Sequence, residues 1–185
     1  AAGTGWQHCG PGGIAERTPN GLYAASKQAA EDILAHYAAN RGLATVMLLI
    51  LDSYGPGDPR GKLMNLLADA TRKGTPLAMS PGDQRVGMAH ADDIAAAFRA
   101  ADRRLADGGN GAPLERFVIA PAEFPTLKEL AARFAAAAGT PLDIEFGARP
   151  YRDFEVMEPL RGPVLPGWTP RVALDDGIRD LLAET

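Results

Sequence analysis

An apolar run at residues 43–51, with the sequence LATVMLLIL, restricts the fold of this chain more than any other feature. The run lies between Gly42 and Asp52, is partly β-branched and offers apolar side chains to both faces of a strand. Such a segment is typical of a strand buried inside a parallel sheet, and it is too short to span a membrane.

Helical and strand patterns alternate along the rest of the chain. Helices are predicted at residues 22–40, 62–72, 92–105 and 174–183, and from a capping box at Thr126 to residue 138. Strands are predicted at residues 43–51, 77–79, 86–89, 115–119 and 142–146. Residues 1–20 are predicted to be a loop or strand exit, residues 52–61 a loop, and residues 80–83 a turn between two short strands. The alternation predicts an α/β fold, although only residues 43–51 have the fully apolar pattern of a central strand.

Composition excludes several classes of function. Of the 185 residues 46% are hydrophobic and 23% charged, which permits a real core, and the net charge of −4 argues against a nucleic-acid or membrane partner. The single cysteine, Cys9, excludes a disulfide framework within the chain. Cys9 with His8 and His90 has no metal-ligand spacing, so no metal site is predicted. We expect a cytosolic protein, because the sequence contains no signal peptide and no membrane span.

Tyr23 and Lys27 are the first candidates for chemistry, because their spacing places a phenol and an ammonium on one helical turn. A nearby cation favours phenolate and lowers the pKa of a tyrosine, which suits it to general acid–base catalysis near neutral pH. Alone the spacing is a weak signal. The competing interpretation is an exposed lysine beside a half-buried tyrosine of no catalytic importance.

The wider context of Tyr23 and Lys27 strengthens the functional interpretation. The segments that carry it are AGTGWQH at residues 2–8, LYAASKQAAEDIL at 22–34, YGPGDPRGKL at 54–63, QRVGMAHADDI at 84–94 and PGWTP at 166–170. In this order they resemble the extended short-chain dehydrogenase/reductases, the NAD(P)-dependent nucleotide-sugar epimerase/dehydratase family. The resemblance runs over essentially the whole chain and covers the second half of the family's length. Within the family, the first three segments look most like the branch that makes deoxysugar nucleotides.

The resemblance implies a fold class and a division of the chain. The fold would be α/β, with the second half of a Rossmann-like parallel sheet and a small C-terminal α/β substrate-binding region. Residues 1–60 would be the catalytic part of an incomplete Rossmann-like domain. Residues 61–185 would be mainly substrate-binding, with residues 86–120 returning to the sheet.

Catalytic roles also follow from the resemblance. Tyr23 would be the acid/base, Lys27 would hold the nicotinamide ribose and tune Tyr23, and Thr4 would hydrogen-bond to the sugar oxygen that becomes a carbonyl. The cofactor would be NAD or NADP, contacted by Gly3, Tyr23, Lys27 and the backbone of Leu51.

The same comparison implies a nucleotide-sugar substrate. Its contacts would come from Thr4, Asp52, Lys62, Leu63, Arg85, and Arg149 or Arg152, since a guanidinium suits a diphosphate. The resemblance further implies a homodimer formed through the helices that begin near Tyr23 and Lys62.

Three departures from the family pattern refine this interpretation. Asp52 replaces the usual asparagine, so an acceptor-only carboxylate stands where an amide is expected. The usual Arg-Asp pair is absent around Arg85. Gly5 and Trp6 follow Thr4 where the 4,6-dehydratase branch has Asp-Glu, so the second acid/base pair for elimination is missing and a 4,6-dehydratase is disfavoured.

The glycine-rich loop that binds the dinucleotide is not found in this sequence. The third glycine, Gly10, comes too late after Gly3 and Gly5, and no apolar strand precedes them. We therefore expect the main cofactor-binding loop to lie outside this chain, and the chain alone to be inactive.

The predicted function is that of an NAD(P)-dependent oxidoreductase acting on a nucleotide-linked deoxysugar, specifically a 4-ketoreductase. One alternative is a nucleotide-sugar 4-epimerase with tightly bound NAD. The other is a noncatalytic homologue or fragment that binds a partner or a nucleotide.

Overall fold

The computed structural model describes residues 1–109 and 111–184. Its strands are β1 (Ala2–Thr4), β2 (Thr45–Ile50), β3 (Asp52–Tyr54), β4 (Leu77–Met79), β5 (Met88–His90), β6 (Leu114–Ile119) and β7 (Ile144–Phe146). The α-helices are α1 (Leu22–Arg41), α2 (Leu63–Lys73), α3 (Ala91–Ala106), α4 (Leu127–Ala138) and α5 (Leu174–Ala183). Short 3₁₀ helices lie at Gly5–Gln7 and Gly13–Ala15. Among the described residues, no helix is both long and apolar enough to cross a membrane.

The chain divides into two compact units, and the first consists of residues 1–51, 92–120 and 160–170. It is built on a three-stranded parallel sheet with the order β1-β2-β6. Val46 and Leu48 of β2 share one core with Trp168, whereas Met47 and Leu49 share another with neighbouring apolar side chains. Both faces of β2 are therefore covered, which confirms the prediction of a central parallel strand and explains its apolar sequence.

Strand β1 was only partly expected, because residues 1–20 were predicted to be a loop or strand exit. Ala2, Gly3 and Thr4 pair in parallel with Leu48, Leu49 and Ile50 of β2. Alanine and glycine are depleted in strands and Thr4 is the one β-branched residue of the three, so pairing with β2 decides their conformation.

The second unit consists of residues 52–91, 121–159 and 171–184. Helices α2, α4 and α5 enclose its core, whose largest fully buried side chains are Met64, Leu67, Leu130, Phe134, Ile178 and Leu181. Two parallel strand pairs, β3-β5 and β4-β7, complete the unit.

One prediction about this second unit was wrong. Asp52–Tyr54 is strand β3 rather than the beginning of a loop, because its backbone pairs with β5. The strands on either side of residues 80–83 do not pair with each other, since β4 pairs with β7 and β5 with β3. Partners distant in sequence determine both pairings.

Candidate active site

Thr4 is the last residue of β1 and the N-cap of the 3₁₀ helix Gly5–Gln7. Its hydroxyl oxygen accepts hydrogen bonds from backbone amides of this helix, with the Trp6 nitrogen at 3.4 Å. Because the oxygen lone pairs face these amides, the hydroxyl hydrogen remains available as a donor. The capping geometry therefore prepares Thr4 to donate to an oxygen acceptor.

Tyr23 and Lys27 lie on successive turns of α1. The Tyr23 side chain is 58% exposed, and the Lys27 Nζ lies 5.9 Å from the centre of its ring. Ala24 and Gln28, the next residue after each of them, are buried against the sheet side of the helix. Tyr23 and Lys27 therefore lie at the edge of the buried face of α1, next to solvent. Tyr23 is more exposed than the half-buried tyrosine of the competing interpretation.

Gly3 and Leu51 are closely packed. A Cβ at Gly3 would lie 2.6 Å from Gln7 Oε1 and 2.7 Å from Leu49 Cδ2, so any side chain at this position would collide with its neighbours. Leu51 is half-buried, and a Cβ at Gly5 would lie 2.6 Å from its Cδ2. These contacts shape the backbone around Thr4, and the cofactor contacts of Gly3 and Leu51 remain predictions.

Asp52, Lys62 and Arg152 form an electrostatically linked group in the second unit. The Asp52 side chain is accessible to solvent, yet the surrounding protein atoms desolvate its carboxyl group and raise its pKa. The positive charges of Lys62 and Arg152 oppose this rise, and the carboxylate of Glu155 adds to it. Lys62 also donates a hydrogen bond to Ser53 Oγ at 3.3 Å, just before α2 begins at Leu63. Leu63 itself packs against the core.

Arg85 and Arg149 have contacts that do not involve Asp52 or Lys62. Arg85 is exposed; its Nη1 donates to the Phe124 carbonyl at 2.8 Å, and its Nε lies 3.6 Å from Glu158 Oε1. Arg149 is exposed, and its backbone amide donates to the Met79 carbonyl at 3.0 Å. Among the candidate arginines, Arg152 lowers the pKa of Asp52 through its charge.

Three residues that were not predicted from the sequence form a hydrogen-bonded chain that begins at the Thr4 amide. Gln7 and Glu31 are fully buried, and Arg116 bonds to Glu31. The sequence signal for this chain was Glu31, a charged residue that follows Ala24 and Gln28 on the buried face of α1. Across the described residues, no group of three or more His, Cys, Asp and Glu side chains is placed to hold a metal ion.

The raised pKa of Asp52 leads to a prediction about stability. A carboxyl group whose pKa is higher in the folded state favours folding when protonated, and loses that contribution as the pH rises through the folded-state pKa. We therefore expect Asp52→Asn to raise the Tm at pH 7. The gain in the free energy of unfolding should be less than about 1 kcal/mol, because the side chain is solvent-accessible. The gain should vanish below about pH 4, where the protonated aspartic acid of the wild type and the asparagine of the variant are both neutral.

Thermal unfolding of the wild type, D52N and D69N between pH 3 and pH 8 tests this expectation. Asp69 is an exposed carboxylate on α2 that pairs with Arg72 and Lys73, so its replacement should give no gain at any pH. A Tm of D52N below that of the wild type at pH 7 would contradict the prediction.

The sequence matches the model of a protein family described as the NAD dependent epimerase/dehydratase family over residues 9–120. A curated relative, CDP-abequose synthase from Yersinia pseudotuberculosis, is 30% identical over 93 residues. That match covers 50% of this chain and 31% of the relative.

Solved structures resemble nearly the whole chain. The UDP-glucose 4-epimerase of Thermus thermophilus, in complex with NAD, matches at a TM-score of 0.76 and 26% identity over 98% of this chain. RMD from Pseudomonas aeruginosa, complexed with NADPH, matches at a TM-score of 0.79 and 19% identity, also over 98%. The chain spans 61% and 64% of these two structures. Their architecture confirms the predicted α/β fold with a Rossmann-like parallel sheet.

Proposed function

The chain belongs to the NAD dependent epimerase/dehydratase family, and from that premise we propose that it contributes the proton-transfer residues of an NAD(P)-dependent oxidoreductase. Its substrate is a nucleotide-linked deoxysugar, and its reaction is the reversible reduction of a 4-keto group.

The observation that carries this proposal is the arrangement of Tyr23 and Lys27. The phenol is exposed on α1, where a substrate can reach it, and the Lys27 ammonium lies 5.9 Å from its ring centre. A positive charge on the adjacent helical turn favours the negative charge that develops on the phenol oxygen during proton transfer.

NAD(P) supplies the hydride when it is bound, and the residues of this chain manage the proton. The donor groups of Lys27 and Tyr23 suit the hydroxyl groups of a ribose, which fits the predicted contact with the cofactor. During reduction Tyr23 donates its proton to the ketone oxygen, while the Thr4 hydroxyl donates a hydrogen bond to the same oxygen. In the reverse direction the Tyr23 oxygen accepts the proton.

A nucleotide-linked substrate is supported by the charges of the second unit. The charges of Lys62 and Arg152 both act on Asp52, and a guanidinium and an ammonium together suit a diphosphate. Asp52 and Leu63 would contact the rest of the substrate, with Arg85 and Arg149 as further phosphate candidates. The name of the Yersinia relative also concerns a nucleotide-linked product, CDP-abequose.

A 4-epimerase that retains its NAD is the second candidate, favoured by the 26% identity to the Thermus UDP-glucose 4-epimerase. A 4,6-dehydratase is not favoured, because Gly5 and Trp6 follow Thr4 and neither has a titratable side chain. A noncatalytic binding homologue is the third, and the presence of Thr4, Tyr23 and Lys27 together argues against it.

We also propose a homodimer formed through α1 and α2. Helix α1 exposes Leu22, Ile33 and Tyr37, and α2 exposes Leu66. Contiguous exposed apolar side chains are typical of a protein contact, and Ile33 and Tyr37 lie one turn apart on α1.

Product analysis with the full-length protein tests the proposed reaction. Incubation with a 4-keto nucleotide sugar and NADPH or NADH should oxidise one nicotinamide for each alcohol formed, as measured by absorbance and by chromatography of the sugar. Conversion between two 4-epimers without net oxidation would instead establish the epimerase. If the protein neither turns over nor binds these ligands, both enzymatic candidates are wrong.

A further inference from the structure

We propose that Gln7 is a positioning residue for Thr4, and that the buried Glu31, held by Arg116, fixes the orientation of the Gln7 amide group. This inference rests on the proposed role of Thr4 as a hydrogen-bond donor to the substrate. It assigns a task to a buried polar cluster that neither acid–base chemistry nor the predicted ligand contacts use.

Gln7 connects Thr4 to the helix that carries Tyr23. Its Oε1 accepts a hydrogen bond from the Thr4 backbone amide at 2.8 Å. Its Nε2 donates to Glu31 Oε2 on α1 at 2.8 Å, and more weakly to Gln28 Oε1 at 3.3 Å. One side chain thereby links the end of β1 to the face of α1 next to Tyr23 and Lys27.

Glu31 decides which way the Gln7 amide points. A carboxylate only accepts hydrogen bonds, so the amide must present its NH₂ group to Glu31 and its oxygen to the Thr4 amide. The opposite orientation would set two oxygens against each other and two donors against each other, in a site from which water is excluded. A neutral glutamine at position 31 accepts either orientation and would remove this selection.

Arg116 holds Glu31 in place. Arg116 lies on strand β6, and its Nε donates to Glu31 Oε1 at 2.5 Å. The Arg116 side chain retains some contact with solvent. The ion pair occupies one oxygen of Glu31 and leaves the other directed at the Gln7 amide. The pair therefore anchors the cluster to the central sheet.

The packing of Gly3 indicates that the cluster is a built feature. Gly3 precedes Thr4, and a Cβ there would lie 2.6 Å from Gln7 Oε1. Only glycine leaves room for the amide to reach the Thr4 backbone, so a residue predicted to contact cofactor also serves the positioning of Thr4.

A buried ion pair with a purely structural role is the competing explanation, and the chain offers a matched control. Glu115 precedes Arg116 in β6 and therefore faces the opposite side of the sheet. It is also buried and accepts from the Arg104 Nε at 2.6 Å. Glu115→Gln disturbs a comparable pair that does not contact Thr4 or Gln7.

Hydrogen exchange of the Thr4 amide, followed by NMR in the full-length protein, tests the proposal without relying on activity. In the wild type the Thr4 amide and the Gln7 side-chain NH₂ should both be protected, and exchange of the Thr4 amide at the rate of an open loop would overturn the proposal.

Glu31→Gln should accelerate Thr4 exchange about tenfold or more, with little change at the Leu48 amide, which bonds to Ala1. Glu115→Gln should leave Thr4 exchange within about twofold of the wild type. Equal effects of the two substitutions would make the cluster merely structural.

Kinetics supply the functional half of the test. Glu31→Gln should lower kcat about tenfold with little change in KM, since the lost interaction acts on the developing charge and not on substrate binding. Equal losses for E115Q would overturn the positioning role, because they would follow stability alone. If the wild type has no turnover, the proposed function fails while the exchange data still decide whether Gln7 and Glu31 hold Thr4.

Discussion

Replacing Tyr23 by phenylalanine should lower kcat of the full-length protein by about 10²–10⁴-fold, the usual contribution of a positioned general acid or base. This corresponds to about 3–5 kcal/mol of activation free energy. The substitution removes one oxygen and keeps the ring beside Lys27, so the loss should reflect proton transfer alone. Steady-state measurement of kcat and KM at several pH values provides the comparison.

Tyr37→Phe is the matched control, because it makes the same change on an exposed tyrosine of the same helix. It should leave kcat and KM unchanged. Neither substitution should change the Tm appreciably, since both hydroxyl groups lie on exposed side chains. A Y23F protein with turnover close to that of the wild type would contradict the assignment of the acid/base.

The helices could be predicted closely because their ends are encoded locally. Thr126 and Glu129 form the capping box expected from the sequence, and α4 ends at Gly139 in the left-handed conformation. Helix α1 likewise ends before Gly42, whose φ is 67°. Such signals act within a single turn, so no knowledge of the tertiary structure is needed to interpret them.

Short strands could not be predicted in the same way. Asp52–Tyr54 contains an aspartate and is followed by proline and glycine, so its sequence favours a loop. It is a strand only because residues 88–90, distant in sequence, provide backbone partners. The same applies to Ala2–Thr4, whose partner is β2.

The candidate site shows the same division between local and distant information. The spacing of Tyr23 and Lys27 is local, and the sequence alone brought them together. Gln7, Glu31 and Arg116 come from a 3₁₀ helix, an α-helix and a strand, so their meeting depends on the folded sheet. A buried charge at a core-facing helical position is a useful sequence signal for such clusters, but it does not identify the partners.

Phe134→Ala should destabilise the second unit by about 3–5 kcal/mol, the cost of removing a phenyl ring from a close-packed core. Phe134 lies on α4, is 0% exposed and shares a core with side chains of α2 and α5. Urea denaturation should show a lower midpoint with an unchanged slope, which indicates lost stability without a change in the surface exposed on unfolding.

Phe154→Ala removes the same atoms from a side chain of the same unit that is 77% exposed, and should cost less than about 1 kcal/mol.

The kinetic consequence of Phe134→Ala follows from the division of the chain. Lys62, Leu63 and Arg152 belong to the second unit and Tyr23 to the first, so weakening the second unit should raise KM for the nucleotide sugar more than it lowers kcat. The opposite pattern, an intact KM with a much lower kcat, would show that the predicted substrate contacts do not depend on this core.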